Sequence, residues 1–146
     1  MKNVLIIASI LALGFLVTYA FVRNCEYAGR VALACVFLFT AIGHFVKSPE
    51  MQQMIPPWFR RRDLIVFASG IFELGLAVSL FLARSSFIAG IITMAFLVLA
   101  LPLNVYSAYA RVDFGGHGFG PRYLIVRIPL QLLLIGWNYW FVLRRS

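Results

Sequence analysis

Apolar residues run through this chain in long blocks with only short polar interruptions. Five blocks stand out, at about residues 4–22, 28–46, 64–83, 86–110 and 123–143. Each has close to the ~20 residues that an α-helix needs to cross a hydrocarbon core of roughly 30 Å. None has the strict alternation of a barrel strand, and a spanning backbone without strand partners must satisfy its polar groups as a helix. The pattern predicts an all-α membrane protein in which the spans account for nearly the whole chain.

Composition agrees with the pattern. Of 146 residues, 62% are hydrophobic and 12% charged, and the mean hydropathy is +0.91. That is too little polar side chain to cover a soluble globule. The net charge of +8 suggests nucleic acid until its placement is read. Arg60, Arg61 and Arg62 precede the third block and Arg144 and Arg145 follow the last, positions that suit headgroup and topology anchors. No basic face with interleaved aromatics lies outside the blocks, so no nucleic-acid partner is expected.

Alternating spans place Lys2, Lys47, Arg60, Arg61, Arg62, Arg111, Arg122 and Arg127 on one side and Arg23, Arg30, Arg84, Arg144 and Arg145 on the other. The bias favours a cytoplasmic N-terminus. Residues 1–22 have two readings, a secretory signal with a cleavage-like Thr18-Tyr19-Ala20 and a retained first helix. The length of the run, continued by Tyr19 and Phe21, favours the helix. Cys25 and Cys35 have neither the C-x-x-C spacing of a redox pair nor a metal-ligand spacing, and no metal site is expected.

The loops differ in kind. KSPEMQQMIPPWFRRRD, residues 47–63, suits a segment lying in the headgroup region, stiffened by Pro56 and Pro57 and anchored by Trp58. RVDFGGHGFGPR, residues 111–122, is glycine-rich and able to turn sharply, but no strand precedes it and its spacing is not that of a phosphate-binding loop. Trp137, Tyr139 and Trp140, at the far end of the last block, read as an interfacial belt or, second, as the lining for a flat hydrophobic ligand.

The candidate chemistry lies in the polar residues inside the blocks. Measured at about 1.5 Å per residue from the side bearing the 47–63 and 111–122 loops, His44 sits at its helix end, Arg127 about four residues in, Asn104 about six, Gln131 about eight and Glu73 about ten. All five fall in one half of the bilayer. Polar groups are unfavourable against lipid and turn inward, so the five are expected to meet. Ser69, Glu73 and Ala77 form one stripe, and Arg127 and Gln131 share a helix face. Glu73 then has two readings: half of an internal ion pair with Arg127, or part of a polar pocket. Asn104 follows Pro102, whose missing N–H leaves a carbonyl that an amide can satisfy.

The segments GHFVKSPEMQQMIPPW, SGIFELGLAVSLFL, LPLNVYSA and RIPLQLLLIGWNYW, in this order, resemble the DoxX-like family of small bacterial membrane proteins over about residues 40–141. The resemblance implies a four-helix transmembrane fold. Its characteristic positions correspond to Gly43, His44, Phe45, Pro49, Pro56, Pro57, Ser69, Gly70, Glu73, Pro102, Asn104, Arg127, Pro129 and Gln131. The chain would then comprise an added N-terminal transmembrane helix, 1–24, and a four-helix domain, 25–146, in the bacterial inner membrane. The family's association with a thiosulfate:quinone oxidoreductase implies redox-linked or quinone-linked physiology, with no independent catalytic activity assured.

The expected function is therefore an accessory or binding module whose pocket, lined by His44, Glu73, Asn104, Arg127 and Gln131, accepts a quinone, a lipid or another small hydrophobic molecule. No cofactor is encoded. His44 and His117 make a poor haem pair, so electrons would come from a redox partner protein. The alternatives are a small proton-coupled transporter working through Glu73 and a purely structural subunit, in either case with lipid contact and possible self-association.

Overall fold

A computed structural model describes residues 2–82 and 86–144, which exclude Arg84 and Arg145 of the charge count. The helices are α1 (Lys2–Val22), α2 (Cys25–Val46), the short α3 (Ser48–Gln52), α4 (Arg62–Phe81), α5 (Ser86–Tyr109) and α6 (Leu124–Asn138). A 3-10 segment, His117–Tyr123, leads into α6, and a π turn, Tyr139–Leu143, continues it. Five helices are long and apolar enough to cross a membrane, and there is no strand among the described residues. This is an all-α, multi-pass membrane protein.

Local chemistry sets the boundaries. Arg23 adopts a left-handed φ of 55°, and Asn24 caps α2 by accepting a hydrogen bond from the Tyr27 N–H at 2.9 Å. The α2 helix ends at Lys47, where φ is −115°, and Pro49 falls in the first turn of α3, where its missing N–H is harmless. Gly116, between α5 and the 3-10 segment, has φ 108°, and Gly120, within that segment, has φ 69°. Side-chain-bearing residues are strained in that region, so the glycines let the loop fold back under the bundle.

The centre of the bundle is α2, packed mainly against α4 and α1. Its small residues Ala28, Ala32 and Ala34 are fully buried, with Leu33, Val36 and Phe37 beside them. Without a hydrophobic driving force in lipid, helices associate through close van der Waals packing, which small residues permit. A Cβ on Gly14 of α1 would lie 3.2 Å from Ala32 Cα, and one on Gly70 of α4 would lie 2.9 Å from His44 Cβ. Leucine and isoleucine point outward instead, with Leu13 and Leu16 60% exposed on α1 and Ile125 75% exposed on α6. These are the surfaces that lipid covers.

The first helix is not a loose appendage. Val4, Ile7 and Leu11 of α1 belong to the same core cluster as Leu33, Leu80 and Leu130. The aromatic cluster expected at the interface divides. Tyr139 and Trp140 are exposed, whereas Trp137 turns inward, donates its indole N–H to the Gly29 carbonyl at 3.0 Å and packs on Phe15 and Phe141. The inward turn follows from Gly29, whose bare backbone leaves its carbonyl within reach of an indole.

Candidate functional site

The loop-side ends of the helices enclose a cavity of about 670 Å³. His44, Glu73, Asn104 and Arg127 all line it, on α2, α4, α5 and α6 respectively. Most of the remaining wall is apolar, including Ile7, Phe96, Leu99 and Leu103. A mainly apolar cleft with a few converging polar groups is the usual form of a small-molecule site.

Gln131, expected to join them, does not line the cavity. It is buried and donates to the Leu97 carbonyl of α5 at 2.6 Å. That carbonyl neighbours Val98, whose helical donor is missing because Pro102 occupies the position four residues on. Gln131 thus secures α6 to a weakened stretch of α5. Asn104 does the same within its own helix, donating to the Ala100 carbonyl at 2.9 Å, while remaining at the cavity wall.

The ion partner of Glu73 within 4 Å is His44, not Arg127. His44 Nε2 lies 3.5 Å from Glu73 Oε1, and both side chains are largely buried. Gly70 makes this possible, because its missing side chain allows α2 to approach α4 at the last turn of α2. The other ring nitrogen, His44 Nδ1, lies 3.1 Å from the Val66 carbonyl. A carbonyl only accepts, so Nδ1 carries a hydrogen. Nε2 can then approach Oε1 favourably only if a proton lies between them, on the imidazole or on the carboxyl.

Arg127 takes the other side. Its guanidinium lies against the hydroxyl of Tyr123, one turn earlier in the chain, and its field reaches Glu73. Its Nε is sealed from the surface and has no hydrogen-bond partner. No carboxylate lies within ion-pair distance of Arg127 among the described residues, where the ion pairs are His44 with Glu73 and the exposed Lys47 with Glu50.

Two cavity residues went unremarked as site candidates in the sequence. His117 is only 3% exposed, lies 2.8 Å through Nδ1 from the Phe114 carbonyl and packs its ring on Tyr123 with centroids 4.6 Å apart. The signal for His117 was an isolated imidazole among glycines in a loop on the cavity side. For Tyr123 it was the four-residue spacing to Arg127. Of the loop residues, Pro56 is buried while Pro57 and Trp58 are exposed, Trp58 resting its ring 5.9 Å from that of Tyr106. No group of three or more His, Cys, Asp or Glu side chains among the described residues is placed to hold a metal.

A family model described as a domain of unknown function, DUF8561, matches residues 33–142. That range carries His44, Glu73, Asn104, His117, Tyr123 and Arg127 and leaves out α1. No curated protein and no solved structure matches the chain.

Proposed function

The chain belongs to the DUF8561 family, and we propose that it is a membrane-embedded binding module for a small amphipathic molecule. The observation that carries this reading is one cavity that unites four polar side chains from four helices with a mainly apolar wall. Buried polar groups in a membrane are unfavourable unless they meet one another or a ligand. The polar end would hold a carbonyl or hydroxyl headgroup, and the apolar wall would take the tail.

A quinone-like ligand is the first to test, since the DoxX-like resemblance adds an expectation of redox-linked physiology in the bacterial inner membrane. Electrons would then come from a partner protein. The excess of Lys and Arg on the cavity side supports a cytoplasmic opening. The experiment is saturable binding of a decyl-chain quinone to purified protein in lipid nanodiscs. Glu73→Gln is expected to abolish binding while leaving the fold intact, and unchanged binding in that variant would sink the proposal.

The contact of the Glu73 carboxyl with the His44 imidazole favours a second reading, proton-coupled transport through Glu73. Proteoliposomes test it directly. Absence of any Glu73-dependent proton flux driven by a hydrophobic cation removes it.

A further inference from the structure

The hydrogen-bonding capacity left open around the cavity has a definite sign. Three of its lining residues keep one buried polar atom without a partner: Glu73 Oε2, His117 Nε2 and Arg127 Nε. A buried polar group left unpaired is destabilising, so a partner entering from the cavity is favoured in proportion to how many it satisfies.

The role of each atom follows from its neighbours. With His44 Nδ1 donating to the Val66 carbonyl, the 3.5 Å approach of Nε2 to Glu73 Oε1 is favourable with a proton between them. Glu73 Oε2 is therefore an acceptor whichever partner holds that proton. His117 Nδ1 faces the Phe114 carbonyl and must donate to it, which leaves Nε2 of the neutral ring as an acceptor. Arg127 Nε–H can only donate.

The open set is thus two acceptors and one donor. We infer that the cavity selects a headgroup bearing a hydroxyl, of the phenol or hydroquinone class, over one that offers carbonyl or ether oxygens alone. The O–H donates to Glu73 Oε2 or His117 Nε2 while its oxygen accepts from Arg127 Nε. A carbonyl-only headgroup answers Arg127 and leaves both acceptors dry. Sites that hydrogen-bond a ligand hydroxyl discriminate strongly against analogues without it, because their own groups are then left unpaired.

This inference rests on the binding reading above, and its test separates the two. Binding of 4-dodecylphenol and of its methyl ether, 4-dodecylanisole, is measured on the wild-type protein in nanodiscs. The pair differs in the O–H donor and keeps the tail and the oxygen. The phenol is expected to bind about tenfold more tightly, the scale of one hydrogen bond to a buried polar partner. Equal affinities would overturn the hydroxyl selection while leaving the binding reading in place. Saturable binding of neither would overturn both. In His117→Phe the ratio of phenol to anisole affinity is expected to shrink, and a ratio that survives intact overturns the role of His117 as acceptor. The comparison on the wild-type protein stands whether or not that variant folds.

Discussion

The two ends of the bundle handle buried polarity in opposite ways. Away from the cavity, helices close on bare glycine backbone. A Cβ on Gly29 would overlap the Phe141 ring, and one on Gly90 would lie 2.9 Å from Val142 and 2.8 Å from Leu143. The glycine carbonyls so exposed are taken up directly, Gly29 by Trp137 and Gly90 by the Asn138 amide at 2.9 Å. Thr93 Oγ1 and Asn138 Oδ1 are left over, on fully buried residues. At the other end Gly70 brings α2 and α4 together, and the effect is to set His44 against Glu73 beside open volume. The same device, a glycine at a helix crossing, seals one end and positions titratable groups at the other.

The sharpest way to break this contrast is to fill the sealed end. Gly29→Ala is expected to destabilise by about 3 kcal/mol, as overpacking against a side chain held near its own Cβ does, and thermal unfolding in detergent measures it. Binding per folded molecule should be unchanged. Gly70→Ala should destabilise by about 2 kcal/mol, since the helices can part slightly at a cavity, but it should also separate His44 from Glu73 and abolish ligand binding. If both variants lost stability and neither lost binding, the division of labour between the ends would be wrong.

Two smaller effects sharpen the comparison. A double-mutant cycle on His44 and Glu73 is expected to give a coupling of about 1.5 kcal/mol, larger than the same cycle on Arg127 and Glu73. The reverse order would restore Arg127 as the direct counter-charge. Trp137→Phe keeps an aromatic ring against Phe15 and Phe141 and loses only the hydrogen bond to Gly29, so a loss of about 1 kcal/mol is expected from chemical unfolding. A loss well above that would mean that the indole also fills space the phenyl cannot.

The spans were legible because lipid imposes a length and an apolar run on each, and the observed helices begin and end within a few residues of the blocks read from the chain. The depth of the polar groups was legible for the same reason, since rise per residue is a constant of the helix. Their direction around each helix was not. Gln131 lies four residues from Arg127 and on the same face, yet it turns to α5 and donates to the Leu97 carbonyl, next to the one that Pro102 leaves without a helical donor. The partner of Glu73 was hidden by a related gap. Depth alone separates His44 from Glu73 by several residues, and only the close approach at Gly70 and the reach of both side chains cancel that offset. Trp137 shows the limit of reading aromatics at a helix end as an interfacial belt, since one bare carbonyl on α2 was enough to turn it inward.

The helix that lies outside the family match supplies part of the wall. Asn3 and Ile7 of α1 border the same cavity as Glu73 and Arg127, while the matched region, 33–142, holds every titratable group that the site uses. The chemistry of the receptacle and a panel of its outline are therefore written in separate stretches of the chain. Exchange of that one helix would change the outline of the cavity while leaving its titratable groups in place.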